Sequence, residues 1–386
     1  MSLPFDAAVC SVRDALTDAG RGLVEREAMV ELVALCAVAG EHLLVIGPPG
    51  TAKSEAVRRT ARALGGGYFE YLLGRFTEPS EIFGPVDLRK LREGLVETET
   101  AGMLPEAEVA FLDEVFLGST AILNTLLGLL NERVFRRGHT RMRCPLRVCV
   151  GASNALPEDE ALAAFADRFL ARTFVEPVPD PRLEELLAGG ASLWKDGEAR
   201  TASLEALDVL AQAAREADLG PVRPHLAHAL RTLRGAGLGL SDRRMVKAQR
   251  LVAAAAALAG RSTPGVADLW PLVYAVPTRE GQALARDVLR ELLAHSENPA
   301  LAAAALEASA GPLARAQRIA QAGRAVLAER PAGEDAEALA SWRLKLEGVA
   351  REMDAGFAPE ALPQELRAVR EELRAALSQA PRAEAA

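Results

Sequence analysis

Five apolar runs punctuate the first half of the chain, each closed by glycine, proline or a polar residue. They are HLLVIG, ending at Gly47, then GYFEYLL, EVAFLDE, LRVCVGASN and ARTFVEPV. Between them, segments such as AKSEAVRRTARAL and STAILNTLLGLLNER carry a helical pattern. Strand-like runs alternating with helices predict an α/β class with a parallel, doubly wound sheet.

From about Pro181 the pattern becomes helical throughout, dominated by Ala, Leu, Glu and Arg. LSDRRMVKAQRLVAAAAALAG reads as a strong helix, with Ser241 placed to cap it. After Arg279 the chain reads as Ala-rich amphipathic helix, interrupted near ERPAGED and GFAPEALPQE, with a frayed tail at APRAEAA. These shifts divide the chain into residues 1–180, 181–280 and 281–386.

Composition changes this picture little. A length of 386 residues allows two or three cores. Aromatics are only 4%, and the apolar excess is Ala and Leu, which favours helix. A net charge of −8 argues against a chain-wide nucleic-acid surface and leaves room for a local basic patch. Cys10, Cys36, Cys144 and Cys149 form no CxxC pair and no metal-ligand spacing. No signal-peptide pattern opens the sequence, and its apolar runs are too short or too Ala-rich to span a bilayer. A cytoplasmic, soluble protein is the expectation.

Chemistry enters with HLLVIGPPGTAKSEAVRR, from His42 to Arg59. Strand, glycine-rich turn and helix are the context of a phosphate-binding loop. Gly47, Pro48, Pro49, Gly50, Thr51, Ala52, Lys53 and Ser54 would form it. Gly50 would turn backbone N–H groups toward a phosphate, Lys53 would neutralise charge, and Ser54 would offer its hydroxyl to Mg²⁺. The strict pattern wants glycine at position 52. That position lies at the entry to the following helix, where a helical backbone angle is open to any L-residue, so alanine is expected to be tolerated there. The ordinary alternative is a plain Gly/Pro turn.

Further on, the strand-like VAFLDE ends in Asp113 and Glu114. In nucleotide hydrolases the first acid holds Mg²⁺ through water, and the second orients and deprotonates the attacking water. Asn154 closes the next run, where an amide would hold the lytic water or a γ-phosphate. Arg168 lies near a helix end and suits transition-state charge, or else pairs with Asp167 at the surface. Arg243 and Arg244 occupy the first turn of the Ser241-capped helix, from which one of them would reach a γ-phosphate.

Taken in order, these blocks resemble an AAA+ ATPase, more narrowly the MoxR family and its RavA-like branch, over about residues 10 to 280. GLVERE, GPPGTAKS, GRFTEPSEIFGPVDL, GMLPEAEVAFLDEVF, AILNTLLGLLNERVFRRG, GASNALPED, ADRF and SDRR carry the resemblance. It implies an AAA+ P-loop core over 1–180, a helical lid over 181–280 and a C-terminal helical extension over 281–386. It implies ATP and Mg²⁺, with Lys53 and Ser54 as the Walker A pair, Asp113 and Glu114 as the Walker B pair, and Asn154 as sensor 1. Arg168 would be the arginine finger, acting on a neighbouring subunit, and Arg243 rather than Arg244 would be sensor 2. Leu23 and Val24 would lie near the adenine. A ring homo-oligomer, usually a hexamer, is implied, together with a partner bearing a von Willebrand factor A domain.

The family places an insert in its second helix, here GRFTEPSEIFGPVDLRKLREGLVETETAG, and a hairpin before sensor 1, here NERVFRRGHTRMRCPLR. The latter carries Arg133, Arg136, Arg137, Arg141, Arg143 and Arg147, with no acid from 133 to 147. Such a patch would grip an acidic partner, or nucleic acid less readily because only Phe135 could stack. It is otherwise a solvated hairpin. The RavA-like branch carries a β-rich module toward its C-terminus, and residues 281–386 show no strand signal. The functions in view are an ATP-driven chaperone or remodelling motor, a slow nucleotide-gated scaffold, and a DNA-remodelling ATPase.

Overall fold

The computed structural model describes residues 3–193, 201–309, 312–331, 336–356 and 364–379. Helices α1 (Phe5–Gly20) and α2 (Glu27–Ala39) precede β1 (Leu43–Ile46) and α3 (Lys53–Leu64). Next come β2 (Tyr68–Leu72), α4 (Pro79–Phe83), α5 (Leu88–Arg92), β3 (Val109–Asp113) and α6 (Thr120–Glu132). The antiparallel pair β4 (Val134–Arg137) and β5 (Thr140–Arg143) leads to β6 (Val148–Ser153), α7 (Glu160–Ala166) and β7 (Ala171–Phe174).

All five apolar runs form strands, in the order β2-β3-β6-β1-β7 and all parallel. The central strands β1 and β6 are buried at every position, as the absence of alternation requires. Because β6 lies between β1 and β3, the carboxyl ends of these three strands open side by side. Register fixes this closely: Ile46 stands opposite Ser153, and Leu112 opposite Gly151.

The helical remainder is α8 (Leu183–Leu193), α9 (Leu204–Glu216), α10 (Arg223–Gly235), α11 (Asp242–Leu258), α12 (Pro271–Tyr274), α13 (Arg279–Val288), α14 (Arg290–Leu293) and α15 (Ala302–Ser309), then α16 (Pro312–Ala328), α17 (Ala336–Gly356) and α18 (Gln364–Gln379). Ser241 caps α11 as the sequence predicts, its hydroxyl accepting from Arg244 N. Contacts divide the chain into two compact units, one of residues 1–176 and 196–309 and the other of 177–195 and 310–386. These cuts differ from the borders drawn at 180 and 280 on composition. In the second unit Trp342, Leu346, Val349, Met353, Leu366 and Val369 form a core of their own. A Cβ on Gly323 of α16 would lie 2.7 Å from Val369 of α18, so glycine permits that close crossing. The interruptions expected at ERPAGED and GFAPEALPQE fall partly, and the tail APRAEAA wholly, outside the described residues.

The two inserts pack on each other. Val96 exchanges hydrogen bonds with His139, Thr98 N donates to Thr140 Oγ1, and Arg137 donates to Gly84 O. Several of the six arginines are consequently not available as a basic surface. Arg133 is mostly buried, donating to Leu130 O and Gly40 O. Arg147 pairs with Asp208, and Arg136 with Glu132. Arg136, in its surface pair, and Arg141 and Arg143 remain exposed. An acid just outside the acid-free stretch, and backbone carbonyls far from it in sequence, account for the difference.

Candidate phosphate-binding site

At the carboxyl ends of β1, β3 and β6 lies a cleft of about 360 Å³. Pro49, Gly50, Thr51, Ala52, Lys53, Ser54, Asp113, Glu114 and Asn154 line it, so three separate sequence motifs meet in one place. Gly47 ends β1 where a Cβ would come within 2.3 Å of Val175 O, a clash with backbone that only glycine avoids. Gly50 takes a φ of 77°, which turns the loop before α3 begins.

Ala52 corrects an expectation. Its φ of 57° and ψ of 27° are left-handed, not the right-handed helical angles under which alanine was expected to be harmless. The chain makes a left-handed step just before the first turn of α3, at a cost of about 1 kcal/mol for a residue with a Cβ. Tertiary contacts hold it there. Arg26 Nε donates to Thr51 O at 2.7 Å, Thr51 Oγ1 donates to Pro48 O at 2.9 Å, and Ala56 N donates to Ala52 O at 3.0 Å.

Lys53 is buried, with Nζ donating to Gly47 O at 2.7 Å and Pro48 O at 2.9 Å. Burial lowers its pKa, Asp113 and Glu114 oppose that fall, and Arg26 adds to it. An ammonium held only by carbonyl oxygens keeps its charge available to an incoming anion. Asp113 accepts from the backbone N–H of Glu114 at 3.0 Å, and Glu114 accepts from Asn154 Nδ2 at 2.8 Å. Glu114 is itself left-handed, at φ 48°.

Among the described residues no three His, Cys, Asp or Glu side chains group to hold a metal ion. The donors present, the Ser54 hydroxyl and the Asp113 carboxylate, are oxygens and too few for a protein cage. That set fits Mg²⁺, which keeps waters and is bound together with phosphates.

Leu23 and Val24 are buried in the loop before α2, and Arg168 and Arg243 lie outside the cleft lining. Arg168 is half-buried, and its Nε finds no hydrogen-bond partner. Asp167 pairs not with Arg168 but with Arg244, at 3.0 Å. Of the adjacent arginines on α11, Arg243 is exposed and Arg244 is buried.

Sequence reasoning gave Arg26 no role. Besides Thr51 O, this buried guanidinium donates to Glu25 O and to Glu176 O, tying the phosphate loop to the segment leaving β7. Its only signal was its place inside the block GLVERE.

The fold and the cleft define an AAA+ ATPase class of α/β protein. The crystal structure of a protein described as an ATPase, from Cytophaga hutchinsonii, superposes with a TM-score of 0.60 at 16% identity, covering 76% of this chain and 96% of that one. At that identity the likeness speaks to fold alone. The model of the MoxR domain in the MoxR-vWA-beta-propeller ternary systems matches residues 10–213, and the chain belongs to this family. Two uncharacterized proteins of Methanocaldococcus jannaschii are 35% and 36% identical over 248 residues, or 64% of this chain. The chain spans 66% and 64% of their lengths. Chaperone MoxR1 of Mycobacterium tuberculosis is 27% identical over 191 residues, 48% of this chain and 50% of that protein.

Proposed function

We propose that the chain is an ATP-hydrolysing motor of the MoxR type, a chaperone or remodelling ATPase that works as a ring oligomer. The observation that carries this reading is the convergence of the phosphate loop, the Asp113–Glu114 pair and Asn154 on one cleft. In it, the N–H groups of the Gly50 turn and Lys53 Nζ hold the β- and γ-phosphates. Ser54 and Asp113 would hold Mg²⁺ beside these phosphates. When bound, the ion neutralises charge that develops on the transferred phosphoryl group. Glu114 takes a proton from the attacking water, and Asn154 fixes the Glu114 carboxylate relative to the γ-phosphate. Water oxygen bonds to the γ-phosphorus, the bond to the bridging oxygen breaks, and ADP and phosphate leave. Arg168 serves the site of the neighbouring subunit, consistent with its place outside its own cleft. Arg243, exposed on α11, serves as the sensor of the helical lid, and Leu23 and Val24 flank the adenine.

The name of the family supports a partner with a von Willebrand factor A domain. With that partner we propose a role in complex maturation or metal-cofactor insertion. The residue blocks from GLVERE to SDRR support the RavA-like branch. Among the described residues no helix is long and apolar enough to cross a membrane. We place the motor in the cytoplasm.

The test is Glu114→Gln. It should leave ATP binding within about twofold and lower turnover by about a hundredfold or more. Turnover at the parental rate would remove Glu114 as the base.

A further inference from the structure

The Arg244 guanidinium is buried, and its acceptors lie on both sides of Arg168. Its Nη1 donates to Asp167 Oδ1 at 3.0 Å and to Phe169 O at 3.2 Å. Its Nη2 donates to Leu170 O and, at 2.9 Å, to Ala275 O, which Nε also reaches at 3.0 Å. One planar fork on α11 therefore clasps the residue before Arg168, the two residues after it, and the carbonyl following α12. Phe169 carries the clasp inward. A Cβ on Gly151 of β6 would lie 2.9 Å from the Phe169 ring, so that ring sits directly on the strand that Asn154 follows. The neighbouring Arg172 is also buried and donates to Pro277 O, which fixes β7 to the same turn beyond α12.

We infer that Arg244 is a positioning residue for Arg168, coupling helix α11 to the finger that the subunit presents to its neighbour. The inference rests on the proposed role of Arg168 in trans. Adjacent arginines on one helix then divide the work. Arg243 faces solvent and addresses the subunit's own nucleotide, while Arg244 points into the protein and holds the finger segment. Movement of α11 on nucleotide binding is passed to Asp167, Phe169 and Leu170 because the guanidinium cannot release one acceptor without leaving a buried donor unpaired. A lysine would keep the charge and lose the planar fork.

Mixed rings test this. Subunits with Glu114→Gln bind nucleotide and offer a finger without turning over, and subunits with Arg168→Ala turn over only when a neighbour supplies the finger. Mixing the two full-length chains should recover ATPase activity. Adding Arg244→Met to the Glu114→Gln donor should cut the recovered rate about tenfold. Adding it to the Arg168→Ala acceptor should cut it less than about twofold. Arg244→Lys, which spares the fold if methionine does not, should show the same donor-sided loss. Equal loss on both sides, or loss confined to the acceptor, overturns the inference and leaves the trans finger standing. No recovery in the parent mixture removes the trans finger, and the inference falls with it.

Discussion

The side-chain amide of Asn154 donates to Glu114 Oε1 at 2.8 Å, joining the end of β6 to the end of β3 across the cleft. Sequence separation between them is 40 residues, and the parallel order β3-β6-β1 brings them together beside the phosphate loop. Replacing Asn154 with Ala leaves the Glu114 carboxylate without that donor. Turnover should fall about ten- to a hundredfold with KM nearly unchanged, because the lost contact orients the base rather than the nucleotide. Steady-state kinetics over a range of ATP concentrations checks both quantities.

Ala52→Gly relieves a left-handed residue whose methyl group is exposed. The substitution should raise unfolding free energy by about 0.5 kcal/mol, the left-handed cost of about 1 kcal/mol being offset in part by the added chain entropy of glycine. Chemical denaturation of the two proteins measures it.

Arg26→Met removes the donor to Thr51 O, Glu25 O and Glu176 O. Nucleotide affinity should drop about tenfold, because the loop is no longer held in its binding geometry. The gain from Ala52→Gly should shrink in this background, by up to about 0.5 kcal/mol in a double-mutant cycle, since the staple that enforces the strain is gone. Additive effects would separate the two residues.

The parallel sheet was legible because strands buried on both faces leave continuous apolar runs. The site was legible because its groups sit where those runs end. Local pattern could not give the conformation of Ala52, which is held by a guanidinium 26 positions earlier in the chain. Nor could it choose between Arg243 and Arg244. Both fit the first turn of a capped helix, and only packing shows that Arg244 turns inward to Asp167, Phe169 and Leu170. Arg26 was silent for the same reason: its acceptors are backbone carbonyls, which carry no residue signature. The grouping of residues 177–195 with the C-terminal helices depends on long-range contacts that helical composition does not reveal.

Glu31 of α2 caps α15, accepting from Ala303 N at 3.2 Å and Ala304 N at 2.7 Å. Burial pushes its pKa up to about 7, with Glu27 and Glu307 adding to the rise and the two N–H donors opposing it. The folded state therefore binds the proton more tightly than the unfolded chain. Stability is lost as pH climbs from the unfolded value near 4.5 through the folded value near 7. Glu31→Gln removes that dependence. Relative to the parent, the variant should gain about 2 kcal/mol between pH 5.5 and pH 8. Urea titrations at the two pH values give the difference directly.

The central claim is an ATPase site completed between subunits, and the most direct measurement is ATP turnover per subunit across a wide range of protein concentration. The account predicts a per-subunit rate that climbs with concentration and levels off as rings fill. A substantial rate that stays constant down to concentrations where the protein is monomeric would contradict it, because a lone subunit does not bring Arg168 to its own cleft.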